Sequence, residues 1–139
     1  MPDEDWSAHA KEVADYHAAA VQRAKAGEDR AGRRAITDFV AAAQAAGIPD
    51  QELTLRPYSG RGRYRTGVRG WYLLPNRSVG VDADANFYVL SGPASLMARA
   101  RGVTLTPTLV PARVGERDGE SMALPDLLRE RLAAGTDHP

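Results

Sequence analysis

Gly67-Val-Arg-Gly-Trp-Tyr-Leu-Leu-Pro-Asn-Arg-Ser-Val-Gly-Val-Asp-Ala-Asp-Ala-Asn-Phe-Tyr-Val-Leu90 contains the aromatic clusters Trp71/Tyr72 and Phe87/Tyr88 and two turn signals, Pro75-Asn76 and Asp82 to Asn86. Short apolar and aromatic runs bounded by such turns read as strands, here a three-strand meander on which a core is built. Val79/Val81 and Phe87/Val89 are predicted to share one face, with Trp71/Leu73 on that face or the opposite one according to register.

Upstream of the meander, Leu53 and Leu55 alternate with Thr54 and Arg56, the pattern of a half-buried strand over 52–58. The glycine- and arginine-rich residues 59–66 read as a mobile loop. Further upstream, residues 6–26 lack Gly and Pro and are rich in alanine, the best helix former. Trp6, Ala10, Val13, His17, Ala20, Val21 and Ala24 recur at three and four and form one apolar stripe, with His17 a partly buried packing residue. Gly27 is read as the end of this helix. A second helix is predicted over 29–46 from Ile36, Phe39, Val40 and Ala43, with Gly32 arguing for a later start. Gly47 and Pro49 stop it. Alanine-lined faces let two helices approach closely, so the first 47 residues are expected to form a helix hairpin covering one face of the sheet.

Downstream, Ser91-Gly92-Pro93 closes the meander, and residues 94–101 are long enough for one or two helical turns. Residues 103–110 alternate as a strand, placed at a sheet edge because Pro107 cannot donate to a ladder. Residues 115–120 read as a charged turn. Residues 124–134 form a short amphipathic helix with Pro125 near its first position, Leu127, Leu128 and Leu132 inward and Gly135 as its cap. The order is two helices, four or five strands, then a helix, with no strand–helix–strand alternation. That predicts an α+β fold in one domain: an N-terminal helix hairpin and a short C-terminal helix on a four- to five-stranded, mainly antiparallel sheet. Residues 1–5 and 136–139 are expected to fray.

Composition bounds the chemistry. The chain of 139 residues has no cysteine, which removes disulfides, thiolate metal sites and cysteine nucleophiles. The acidic start is unlike a signal peptide, and no apolar run approaches the roughly 20 residues of a membrane span, so a cytoplasmic protein without a membrane partner is expected. Formal net charge is zero. Yet Arg56, Arg61, Arg63, Arg65, Arg69 and Arg77 lie in a stretch without any Asp or Glu. A locally basic segment of this kind steers anionic partners. The competing explanation is compositional, since Lys11 and Lys25 are the only lysines in a chain rich in Arg, Ala and Gly.

Several motifs come close to known sites and miss. Asp82-Ala-Asp84-Ala-Asn86 opens like a calcium loop, but Phe87 stands where the sharp-turn glycine belongs and Pro93 where the bidentate glutamate belongs. An Asx-stabilised hairpin turn explains the same letters. Gly60-Arg-Gly62-Arg-Tyr-Arg-Thr-Gly67 matches neither a dinucleotide loop nor a P-loop. His9 and His17 are two helical turns, about 12 Å, apart, too far for one metal. No metal ligand set, cofactor motif or catalytic constellation emerges.

The segment with most content is the one where Tyr58, Tyr64, Trp71 and Tyr72 interleave with arginines. Guanidinium pairs bidentately with phosphate or carboxylate and stacks on aromatic rings. The favoured reading is a non-enzymatic binding module that uses Arg56, Tyr58, Arg61, Arg63, Tyr64, Arg65 and Arg69 on a protein or small anionic partner, with self-association into a homo-oligomer as one form. The alternative is a nucleic-acid-binding protein, single-stranded or non-specific, using the Arg56–Arg77 basic segment with Arg56, Arg61, Arg63, Arg65 and Arg69. A third reading is an enzyme on an anionic substrate, with Arg63 or Arg65 as clamp and Asp82, Asp84 or Tyr88 as acid–base. It requires those groups to converge.

Overall fold

The computed structural model describes residues 6–58, 61–93, 102–115 and 121–137 together with the backbone of 2–5. Helix α1 runs unbroken from Pro2–Ala45. The expected helix hairpin is therefore corrected to one rod, roughly 66 Å long at 1.5 Å per residue. Glycine inside a helix costs only about 1 kcal/mol against alanine, and the residues flanking Gly27 are good helix formers. Without proline or a left-handed residue there, the helix propagates through. The rod ends at Gly47, whose φ is 71°, while the Ile48 amide closes on the Ala43 carbonyl at 2.9 Å.

Among the described residues, α1 packs on the core through its C-terminal half. Ile36, Phe39, Val40 and Ala43 are buried in the core. Trp6 and Tyr16 are 66% and 68% exposed, and Val13, Val21 and His17 are exposed too. The stripe assigned to sheet packing is thus an outward arm, and His17 is not a packing residue.

The sheet comprises β1 (Gln51–Pro57), β2 (Tyr64–Tyr72), β3 (Val79–Asp82), β4 (Phe87–Val89) and β5 (Ser91–Gly92). Strands β2, β3 and β4 are the meander. The order is β4-β3-β2-β1-β5. Neighbours are antiparallel except that β5 runs parallel to β1, so the sheet is mixed, not mainly antiparallel throughout. Only Leu90 separates β4 from β5. One extended segment therefore pairs with β3 by its first half and with β1 by its second, which rolls the sheet back on itself. A register shift between Glu52 and Thr54 adds to that curl. At Gly70 a Cβ would stand 1.9 Å from the Val81 carbonyl oxygen, so only glycine admits this approach of β3.

Rolling creates two apolar clusters. Leu53, Tyr72, Tyr88 and Leu90 pack together on one side. Trp71, Leu73, Val79, Val81 and Phe87 meet α1 and helix α2 (Leu124–Ala134) on the other. Trp71 donates its indole N–H to the Ile48 carbonyl at 3.1 Å, and its ring meets Phe39 edge-on. In α2, Leu124, Leu127, Leu128 and Arg131 are buried, and Gly135 ends the helix with φ 58°. Strands β6 (Arg113–Val114) and β7 (Met122–Ala123) form a separate ribbon.

Three smaller expectations change. Residues 64–66, assigned to a loop, open β2. Residues 103–110 are not a strand: Val103 and Thr108 donate to Arg65 and Phe87 carbonyls, with one isolated bridge. Pro107, which has no N–H, interrupts any ladder there. Gly32 is not a late helix start; its missing Cβ would lie 2.2 Å from Val110 Cγ1, and Val110 N–H donates to Asp29 Oδ1 at 2.8 Å. The glycine admits residues 102–112 against α1. The helical turns assigned to 94–101 and all but Gly115 of the charged turn at 115–120 lie outside the described residues.

Candidate functional site: an arginine cleft beside an apolar one

Strand β1 alternates Leu53, Leu55 and Pro57 inward, which leaves Arg56 and Tyr58 exposed at its end. The parallel β1–β5 pairing sets Arg56 beside Ser91. Its bonds run from the Arg56 amide to the Leu90 carbonyl at 2.8 Å and from the Tyr58 amide to Gly92 at 2.9 Å. Arg63 stands just before β2, and Arg77 stands in the turn between β2 and β3. Together, Arg56, Tyr58, Arg63, Asn76, Arg77, Ser78, Leu90 and Ser91 line a cleft of 310 Å³.

The guanidinium of Arg63 is held in place. Its Nη2 donates to the Thr54 carbonyl at 2.7 Å and to the Arg77 carbonyl at 3.1 Å, and its Nε donates to Thr54 Oγ1. Thr54 is itself fixed by the Tyr72 hydroxyl, which accepts from the Thr54 amide at 2.9 Å. The guanidiniums of Arg63 and Arg77 both lie over the Tyr72 ring, 5.8 and 5.5 Å from its centroid. A buried tyrosine thus carries two cations that face one cleft. The Arg77 backbone is left-handed, φ 60°, a conformation that costs an L-residue about 1–2 kcal/mol. Such strain concentrates where a side chain has to be placed for function.

No carboxylate is among the described residues that line this cleft. Among the described residues, the ion pairs are Arg33–Asp29, Arg65–Glu52, Arg69–Asp50 and Arg129–Asp126. None involves Arg56, Arg63 or Arg77. A concave surface lined by one sign of charge focuses its potential on an incoming ion.

The arginines named from sequence divide accordingly. Arg56, Tyr58 and Arg63 converge. Arg65 and Arg69 instead reach back to Glu52 and Asp50 and are exposed, so they are not the free cations expected of them. The Arg65 guanidinium holds the Glu52 carboxyl below its ordinary range. Arg61 is exposed but outside the cleft, and Tyr64 pairs with Leu55. Arg77, Ser78 and Ser91 belong to the cleft and were not singled out as site residues. The sequence signals for Arg77 are its place in the arginine stretch without Asp or Glu and the Pro75-Asn76 turn before it.

A second cleft of 480 Å³ adjoins the first and shares Tyr58, Ser78 and Ser91 with it. Its walls are Leu74, Val79, Phe87, Val89, Pro111 and Val114, with Arg113 and Gly115 at the margin.

The groups assigned to acid–base chemistry lie elsewhere. Tyr88 donates its hydroxyl proton to Asp82 Oδ2 at 2.7 Å. Asp82 Oδ1 accepts from the amides of Asp84 and Asn86 at 2.9 and 3.0 Å, an Asx turn. Neither Asp82, Asp84 nor Tyr88 lines either cleft. Burial pushes the Asp82 carboxyl up, but these bonds outweigh it and hold its pKa low. Burial and then the Asp82 bond push Tyr88 up to about 12. Among the described residues no cluster of His, Asp and Glu is built to hold a metal ion, and no helix is long and apolar enough to cross a membrane. Comparison with protein families, with curated proteins and with solved structures finds nothing that matches this chain.

Proposed function

We propose that this protein is a small binding module whose ligand is a small anion carrying an apolar group. The observation that carries this reading is the meeting of Arg56, Arg63 and Arg77, none ion-paired among the described residues, on one cleft. The combined size of the two clefts suits a small molecule better than a polymer backbone. Guanidiniums recognise phosphate or carboxylate through paired N–H donors. The adjoining walls of Val79, Phe87, Val89 and Val114 supply the surface that an alkyl or aryl group would bury.

Calorimetry with inorganic phosphate, octyl phosphate and octanoate below micelle formation tests the reading. Octyl phosphate is expected to bind more tightly than inorganic phosphate. Arg63→Ala is expected to weaken it at least about tenfold, the worth of one charge-assisted hydrogen bond. Val89→Asp is expected to weaken the alkyl ligands and leave inorganic phosphate alone. If none of these anions binds at low salt, the reading is wrong. If labelled single-stranded DNA or RNA binds instead, with affinity falling steeply in salt, the nucleic-acid alternative replaces it. The pairing of Arg65 and Arg69 with Asp50 and Glu52 removes two of that alternative's cations.

A further inference from the structure

The exposed arm of α1 has a seam of its own. Trp6, Ala10, Val13, His17, Ala20 and Ala24 follow the alternation four, three, four, three, four, the spacing of a two-helix seam. At about 100° per residue this seam lies about a quarter turn from the Ile36, Phe39 and Ala43 face that meets the core. A helix seated in the seam therefore does not compete with the sheet. Apart from the half-buried Ala20 its residues are exposed, and the arm spans roughly 30 Å. A solitary helix of that length in water is marginal. Aromatic rings left 66% and 68% exposed at Trp6 and Tyr16 add surface that gains by burial.

Charge selects the occupant. Residues 2–13 carry Asp3, Glu4, Asp5 and Glu12 against Lys11, net −3. Residues 17–28 carry Arg23 and Lys25 against Glu28, net +1. A second copy lying antiparallel sets each acidic 2–13 segment on the other's weakly basic 17–28 segment. A parallel copy sets like on like, which is destabilising. Antiparallel pairing also places the two sheet bodies at opposite ends of the pair.

We propose that two copies of this chain associate through an antiparallel pairing of their α1 arms. The layers are Trp6 on the partner's Ala24, Ala10 on the partner's Ala20 and Val13 on the partner's His17, each repeated by symmetry. Trp6 meets a small Ala24 and Ala10 meets Ala20, so the backbones approach closely at those layers. Ala14 then faces the partner's Ala14 beside the seam, while Ser7 faces the partner's Val21.

The experiment combines solution mass with cross-linking, which is clean because the chain has no cysteine. Sedimentation equilibrium at high micromolar concentration is expected to give twice the 15.0 kDa chain mass. Ala20→Glu, which keeps helix propensity but puts a charge in the seam, is expected to weaken association at least about tenfold, with the thermal unfolding of the sheet body unchanged. A short bis-maleimide should join Ala14→Cys chains to each other and Ser7→Cys chains to Val21→Cys chains, but not Ser7→Cys chains to themselves. A monomer at every concentration overturns the proposal, as does efficient cross-linking of Ser7→Cys alone, the mark of parallel pairing. An unimpaired dimer from Ala20→Glu overturns it too. These outcomes do not depend on any ligand in the arginine cleft.

Discussion

At the scale of single residues, the Asp82–Tyr88 pair and Arg77 are the most informative. Tyr88 titrates at about 12 in the fold against an ordinary 10.0. A raised folded pKa contributes stability that is complete below the unfolded value and is lost as pH climbs through the folded one. Between those values the protein is expected to lose about 2–3 kcal/mol, read as a falling urea midpoint, and Tyr88→Phe is expected to flatten that alkaline limb. Asp82 has the opposite sign: its folded pKa is depressed, so its contribution stands above 3.8 and is lost as pH falls through the folded value. Arg77 tests whether backbone strain serves binding. Arg77→Gly removes a left-handed side chain and is expected to keep or raise thermal stability while weakening anion binding. A variant that binds anions as before would separate Arg77 from the cleft's chemistry.

At the scale of elements, two glycines of α1 make opposite predictions. A Cβ on Gly27 would meet nothing within 4 Å and its backbone is not left-handed, so Gly27→Ala is expected to raise helix content and add up to about 1 kcal/mol. Gly32→Ala drives a methyl into Val110 and is expected to destabilise by about 1–3 kcal/mol. Circular dichroism and urea titration of the two variants read both signs. If Gly27→Ala were the damaging one, α1 would be hinged there. The same packing logic makes Phe39→Ala costly, about 3–5 kcal/mol, because its ring is the one α1 sets edge-on against Trp71.

At the scale of the whole molecule, the chain divides into a rolled sheet clasped by the C-terminal half of α1 and by α2, and an arm that leaves it. Hydrogen exchange is expected to show slow amides in β1–β4 and residues 36–45 at any concentration. Amides of residues 8–24 are expected to slow only as concentration rises and arms pair. Arm protection independent of concentration would count against the paired arm. The buried Arg131, 4% exposed, ties the two parts of the body: its Nε donates to the Tyr72 carbonyl at 2.7 Å and its Nη1 to the Gly135 carbonyl at 2.8 Å. Desolvation depresses its pKa.

Local chemistry by itself determined the α+β class, the β2–β3–β4 meander, the core face of Ile36, Phe39, Val40 and Ala43, the C-terminal helix with its glycine cap, and the Asx turn at Asp82. Each rests on periodicity or turn stereochemistry within a few residues, where side-chain spacing and allowed φ decide. The structure was needed to see that Gly27 does not break α1, since glycine only biases a helix and, among the described residues, no packed partner turns the chain there. Tertiary structure alone rolled the sheet, because β5 finds β1 through space and not through sequence. And it alone sorted the arginines. Whether a guanidinium meets a carboxylate, a tyrosine ring or open water depends on which strands lie side by side, and no spacing along the chain encodes that.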